Sequence, residues 1–168
     1  MLFPNLLQMS SKQKTKKKTF RQAVESTPEV RMCFQEGKLA ILNKERNKVE
    51  LTDSRKCGGS LFIDQCLIDQ GMYPQDNRWD YAVDYSGEVF FIEVHTASTG
   101  EVSTVLSKLT WLKDWLIHKA PEINSLRAKT KTPFYWVQSN GYHILSNSSQ
   151  ERLVIQKGLK PISKLVLK

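Results

Sequence analysis

The sequence has few cysteines and no long apolar run, and each shortage excludes a class of protein. Its three cysteines, Cys33, Cys57 and Cys66, form no C-x-x-C pair. Their number and spacing therefore indicate neither a disulfide framework nor a structural zinc site, and we expect a reducing compartment. No apolar stretch approaches the roughly 18 residues that a membrane span requires. A cytoplasmic location is expected, or a nuclear one if the source is eukaryotic.

The N-terminal segment is rich in lysine, but its order differs from that of a secretory signal. Apolar residues precede the basic run, whereas a signal peptide begins with its basic residues. We predict that residues 1–18 form a disordered basic arm and that residues 19–168 form a single domain. The arm is either a solubilising tail or a contact for phosphate. Its candidate nucleic-acid-binding residues are Lys14, Lys16, Lys17 and Lys18.

Charge of each sign is concentrated in separate parts of the chain. Residues 1–60 carry 13 Lys/Arg and 6 Asp/Glu, residues 61–122 carry 4 and 10, and residues 123–168 carry 8 and 1. An acidic centre between basic flanks suits an enzyme that holds cations at its site and polyanions around it. A solvated basic surface is the alternative interpretation.

The stretch from Trp79 to His95 predicts a β-hairpin on which the rest of the chain is organised. Two runs rich in Tyr, Val, Phe and Ile flank Ser86-Gly87, a two-residue turn signal. That register pairs Asp80 with Glu93 and places His95 on the same face of the sheet. The opposite face is then wholly apolar, formed by Tyr81, Val83, Phe90, Ile92 and Val94.

Two carboxylates directly opposite each other destabilise a sheet unless something neutralises them. A divalent cation held between Asp80 and Glu93 is the simplest explanation, because carboxylate oxygens are the ligands that hard cations prefer. Asp84 lies on the same face, but two same-side positions away. It would take part only if the register slipped.

An amphipathic helix is predicted from about Ser98 to Lys119, with Ser98-Thr99-Gly100-Glu101 as its N-terminal cap. Its apolar residues follow i, i+3, i+4 and i+7 spacing. Lys108 lies to one side of this stripe, where it could reach back over the sheet edge, and Lys113 is its competitor on the other side. Trp111 and Trp115 lie farther round. Their role is left open between stacking on bases, contacting a partner and packing under the basic C-terminal segment.

Other elements are predicted from capping, turn and periodicity signals. In chain order they are a helix from Thr19 to Ser26, a helix from Pro28 to Leu42, a strand from Lys48 to Thr52, a helix from Leu61 to Gln70, a hairpin joining Phe134–Gln138 to Tyr142–Leu145 around Asn140-Gly141, a helix from Ser149 to Gln156, and a closing strand from Ile162 to Leu167.

The residues of the hairpin resemble the pattern of the PD-(D/E)xK nuclease superfamily, which includes restriction endonucleases and Holliday-junction resolvases. Asp80 opens one strand, Glu93-Val94-His95 ends the next, and a helix follows. The resemblance covers roughly residues 79–118, with Trp79 in place of the Pro and His95 in place of the Lys. It implies an α/β (α+β) fold, a restriction-endonuclease-like mixed sheet with a central hairpin and flanking helices.

The resemblance also implies a metal-dependent phosphodiesterase acting on nucleic acid. Asp80 and Glu93 would hold Mg²⁺ or Mn²⁺, His95 would accept or donate a proton, and Lys108 would take the place of the missing Lys. DNA is expected ahead of RNA, and a homodimer stays open. Two alternatives remain: a nuclease fold that binds nucleic acid or a protein partner without cleaving, and an unrelated α/β protein whose basic surface binds RNA.

Overall fold

The structure is a computed structural model that describes residues 16–130 and 132–168. Seven β-strands and five α-helices are present in these ranges. The strands are β1 (Phe34–Gln35), β2 (Val49–Leu51), β3 (Cys57–Phe62), β4 (Tyr81–Tyr85), β5 (Glu88–Ser98), β6 (Phe134–His143) and β7 (Leu165–Leu167). The helices are α1 (Phe20–Glu25), α2 (Ile63–Asp69), α3 (Val102–His118), α4 (Pro121–Ser125) and α5 (Ser149–Gln156).

Five strands form a mixed sheet in the order β1-β3-β4-β5-β6. From β1 to β5 neighbouring strands run antiparallel, and β6 pairs parallel to β5 after the crossover through α3. A parallel neighbour requires such a crossover, because a tight turn can only join antiparallel strands. A small second sheet pairs β2 with β7 in parallel. The expected α+β class, with a mixed sheet, a central hairpin and flanking helices, is confirmed.

The predicted register of the central hairpin is confirmed. Tyr85 pairs with Glu88 and Tyr81 pairs with Ile92, with no slip between them. The turn residues Ser86 and Gly87 both have positive φ, at 56° and 78°, as a type I′ turn requires. The apolar face is buried in one core cluster. Ala82 and Phe91, on the other face, belong to the cluster that α3 covers.

Helix α3 follows the predicted stripe, which is buried at Val102, Val105, Leu109, Leu112 and Leu116. Its start differs in detail from the prediction. A 3₁₀ turn at Thr99–Glu101 precedes the α-helix, and Ser98 makes no side-chain capping bond.

No helix in residues 16–130 and 132–168 is long and apolar enough to cross a membrane.

The predicted helix from Pro28 to Leu42 is wrong. This segment consists of turns and the short strand β1, in which Phe34 pairs with Leu61. Gly37 breaks any helix, since its φ of 51° lies in the left-handed region. A disulfide between Cys33 and Cys66 attaches the segment to α2, so the expectation of no disulfide is also wrong.

The predicted hairpin around Asn140-Gly141 is wrong as well. One continuous strand, β6, runs through the predicted turn and takes the place of the two separate arms. Ala97 and Ser98 pair with Tyr142 and His143, and an irregularity in the ladder absorbs the extra residues. Asn140-Gly141 therefore forms a bulge instead of a turn. Of the remaining predictions, α5 matches its predicted bounds, α2 begins two residues later than expected, and the closing strand is shorter.

Candidate active site

Two adjacent strands bring the predicted carboxylates together. Asp80 immediately precedes β4, and Glu93 lies in the middle of β5. Each carboxylate accepts a hydrogen bond from the backbone of the other strand. Glu93 Oε2 accepts from the amide of Asp80 at 3.0 Å, and Asp80 Oδ2 accepts from the amide of Val94 at 3.0 Å. The expected proximity of Asp80 and Glu93 is therefore present, and backbone hydrogen bonds fix both side chains.

The remaining carboxylate oxygens converge on Lys108 of α3. Its Nζ lies 2.5 Å from Glu93 Oε1 and 3.5 Å from Asp80 Oδ1. Lys113, the competing lysine, does not join this cluster. Its ammonium lies 5.3 Å from the centre of the Phe134 ring. Helical periodicity thus identified the lysine that reaches back over the sheet.

His95 connects Glu93 to a carboxylate that the sequence analysis did not include. His95 Nδ1 lies 3.5 Å from Glu93 Oε1, and His95 Nε2 lies 2.8 Å from Oε2 of Glu101. Glu101 ends the 3₁₀ turn before α3 and was interpreted only as part of a helix cap. Glu101 follows His95 by six residues, and this spacing alone does not predict a contact. The 3₁₀ turn before α3 brings the two side chains together.

The cluster is largely withdrawn from solvent. The side chain of Glu93 is fully buried, and those of Asp80 and Lys108 are 15% and 14% exposed. Burial and the neighbouring Glu93 raise the pKa of Asp80 above its ordinary range, against the opposing effects of Lys108 and the Val94 amide. Burial lowers the pKa of Lys108, but the Glu93 and Asp80 carboxylates outweigh it, so the net shift is upward.

The imidazole of His95 is also biased toward its charged form. Its hydrogen bond to Glu93 raises the pKa of His95, burial opposes this, and the bond to Glu101 adds to the increase. An imidazolium donates through both ring nitrogens, which matches its position between two carboxylates. The raised pKa of His95 favours a role as a proton donor or a positive charge over a role as a general base.

The donor set is suited to a divalent cation, and a lysine ammonium now holds the cation position. Asp80 Oδ1 and Glu93 Oε1 both contact the Lys108 ammonium. Hard oxygen ligands of this kind suit Mg²⁺ or Mn²⁺. Mg²⁺ is often bound by only one or two carboxylates, with waters and substrate phosphates completing its shell. No group of three or more His, Cys, Asp or Glu within the described ranges could hold a metal.

The two tryptophans of α3 pack against the body of the protein. Trp115 is 2% exposed, and its Nε1 donates to Glu29 Oε2 at 2.8 Å. It is therefore not available to stack on a base, which corrects its assignment as a nucleic-acid-binding residue. Trp111 is half-buried, stacks on Trp115 with ring centres 5.8 Å apart and meets the edge of Tyr73.

The basic arm is described only in part. Lys16, Lys17 and Lys18 are exposed, whereas Lys14 lies outside the described residues. Lys18 pairs with Glu122 at 3.0 Å, and Lys17 donates to the carbonyl of Gly87 at 3.5 Å. Two of the lysines proposed to bind nucleic acid therefore contact the folded body.

No protein-family model matches the chain, and comparison with curated proteins and with solved structures finds no match.

Proposed function

We propose that this protein is a metal-dependent phosphodiesterase that cleaves nucleic acid. The observation that carries the proposal is the convergence of Asp80 and Glu93, from neighbouring strands, on one cation position. Burying a polar cluster of this kind beneath a helix carries a desolvation cost, and clusters with perturbed pKa values are concentrated at functional sites. The order of carboxylate, strand, turn, second carboxylate and helix also supports the resemblance to PD-(D/E)xK nucleases.

The residues of the cluster would divide the work as follows. Asp80 and Glu93 would hold Mg²⁺ or Mn²⁺, which when bound polarises a phosphate oxygen and lowers the pKa of a water ligand. Lys108, displaced from the two carboxylates by the ion, would keep its positive charge beside the site and stabilise negative charge that develops on the phosphoryl group. His95 would hold or donate a proton at Nδ1 or Nε2, and Glu101 would orient its ring.

A nuclease fold that binds without cleaving is the second candidate, and one observation favours it. All four oxygens of Asp80 and Glu93 already have protein donors, from two backbone amides and Lys108. Such a closed ionic cluster is electrostatically complete without a metal. Cleavage requires that Lys108 give way to the divalent ion, whereas binding alone does not.

The proposed partner is nucleic acid, with DNA placed ahead of RNA, and self-association into a homodimer belongs to the same proposal. The basic flanks of the chain support a polyanionic partner. Salt provides a direct check. Affinity for a polynucleotide should fall steeply between low and high salt, because phosphate contacts release counterions. Binding that does not change with salt would contradict this part of the proposal.

The proposed activity is tested by incubating single-stranded DNA, double-stranded DNA and RNA with the protein in Mg²⁺ or Mn²⁺. Glu93→Gln should abolish cleavage, and His95→Ala should reduce it by about 10²- to 10⁴-fold, the range of a general acid or base. His95→Lys restores the family pattern and should retain activity. Asp69→Asn, at an exposed position of α2, is the control and should cleave like the wild type. If the wild type cleaves no substrate with either metal, the non-cleaving candidate replaces this proposal.

A further inference from the structure

A polar cavity lies away from the carboxylate cluster. It has a volume of about 470 Å³ and opens between the C-terminal half of α3, the chain that follows α4 and the start of β6. Its main lining residues are Lys113, Asn124, Arg127, Lys129, Pro133 and Phe134.

Three cations face this cavity without a carboxylate partner. Within residues 16–130 and 132–168, the side chains of Lys113, Arg127 and Lys129 form no salt bridge. Glu88 lies beside this chain segment, and its carboxylate accepts from the backbone amide of Lys129 at 3.2 Å. No Asp or Glu is among the described lining residues, so the three cations leave the cavity positively charged. Like charges held around one cavity repel each other until an anion enters.

The wall of the cavity is held in place by the main sheet. The amide of Val89 donates to the Leu126 carbonyl at 2.8 Å, and the amide of Ala128 donates to the Val89 carbonyl at 2.9 Å. These bonds fix the backbone on both sides of Arg127 against β5. Arg127 and Lys129 therefore project from a positioned segment, which reduces the entropy lost when they bind a ligand.

A polar atom in the wall also lacks a partner. Asn124 lines the cavity, and its Oδ1 is buried without a hydrogen bond to any described residue. Buried polar atoms are nearly always satisfied by protein or by a bound polar group. An amide oxygen accepts hydrogen bonds, so the partner that would satisfy it is a donor such as water.

We propose that this cavity is a phosphate-binding site, separate from the carboxylate cluster. A planar guanidinium can bind two phosphate oxygens at once, and the two ammonium groups supply point charges beside it. The site is separate because Lys113 follows Lys108 by five residues. That spacing places it about 7.5 Å along the helix axis and roughly 140° around it.

The phosphate has two chemical sources, and the experiment separates them. One is the backbone or terminal phosphate of a polynucleotide, and the other is a small phosphorylated compound. The cavity does not depend on the proposed cleavage, because none of its lining residues belongs to the carboxylate cluster. Loss of either activity can therefore be recognised without reference to the other.

The test compares two triple variants of the full chain with equal changes in net charge. The cavity variant is K113Q/R127Q/K129Q. The control is K44Q/K157Q/K168Q, at three exposed lysines that form no salt bridge in the described residues. Binding of a labelled single-stranded 20-nucleotide DNA is measured at several salt concentrations, and thermal melting checks that both variants fold. In parallel, amide NMR shifts of Asn124, Ser125 and Lys129 in the wild type are followed with inorganic phosphate and with the oligonucleotide.

For a polynucleotide source, the cavity variant should lose at least tenfold in affinity and the control less than twofold. The slope of log K against log salt should become less steep by about 0.7, since the cavity would bind one phosphate and each phosphate contact on a single strand contributes about 0.7. Saturable amide shifts with inorganic phosphate alone would assign the site to a small phosphorylated compound. Equal losses in the two triple variants, together with no saturable amide shift from inorganic phosphate, would overturn the proposal. The absence of an amide shift with either probe would overturn it as well.

Discussion

Replacing Lys108 with Met should reveal how strongly the carboxylate cluster depends on its cation. The substitution keeps the length of the side chain but removes the charge that lies 2.5 Å from Glu93 and 3.5 Å from Asp80. Glu93 is fully buried, so its carboxylate would lose its main electrostatic partner in a place that water does not reach. Removing one member of a buried ion pair costs about 3–5 kcal/mol. For a chain of this size that corresponds to a fall in Tm of roughly 10 °C.

The matched control is Lys113→Met on the same helix. Lys113 is exposed and forms no salt bridge in the described residues, so its replacement should change the free energy of unfolding by less than about 0.5 kcal/mol. Both variants are compared with the wild type by urea denaturation in the presence of EDTA. A loss below about 1 kcal/mol for Lys108→Met would refute the account of a buried, mutually dependent cluster.

Lys108→Met also tests whether Asp80 and Glu93 bind a metal ion. If Asp80 and Glu93 form a cation position, Mn²⁺ should restore part of the stability that Lys108→Met loses. Binding to the folded state alone adds about 2.7 kcal/mol when the metal concentration is 100 times its dissociation constant. Lys108→Met/Glu93→Gln lacks one of the two carboxylates and should gain much less from Mn²⁺. Equal gains in both variants would show that the metal binds elsewhere.

Two further predictions concern other parts of the fold. Burial raises the pKa of Asp84 to about 6. The folded state therefore holds this proton more tightly than the unfolded state, and the stability from it is complete below about pH 4 and lost above about pH 6. Asp84→Asn should increase the free energy of unfolding at pH 8 by up to about 3 kcal/mol and change it little at pH 4; an equal effect at both would contradict this. Cys33→Ser removes the disulfide to Cys66, 33 residues away, and should lower the free energy of unfolding in urea by about 3–4 kcal/mol. Unchanged stability in the absence of reductant would contradict the cross-link.

The central hairpin could be predicted because its signals are local. Ser86-Gly87 sets the turn, and alternation of apolar and polar residues sets which face each side chain occupies. Once that register is known, the proximity of Asp80 and Glu93 follows. Lys108 was identified for the same reason, since helical periodicity places it relative to the buried stripe of α3.

The parts that could not be predicted depend on contacts between distant residues. The segment from Pro28 to Leu42 has helix-like capping signals, but β1 pairing and the link from Cys33 to Cys66 override them. Tertiary contacts often override local propensity in this way. Asn140-Gly141 has the composition of a hairpin turn, and only pairing with β5 shows that it is a bulge inside β6.

Glu101 illustrates the same difficulty within the site. Its residue type and position suggested only a helix cap, and its contact with His95 depends on a 3₁₀ turn that the pattern did not predict. Trp115 is a second example. Helical spacing placed it beyond the apolar stripe, but the loop that carries Glu29 covers it and binds its indole nitrogen.

The proposed function requires that Asp80 and Glu93 together bind one divalent cation. Titration of Mn²⁺ followed by electron paramagnetic resonance, on the wild type and on Glu93→Gln, tests it most directly. One Mn²⁺ should bind to each wild-type chain, and none should bind to Glu93→Gln at the same concentrations. No binding to the wild type, or the same binding to both proteins, would contradict it.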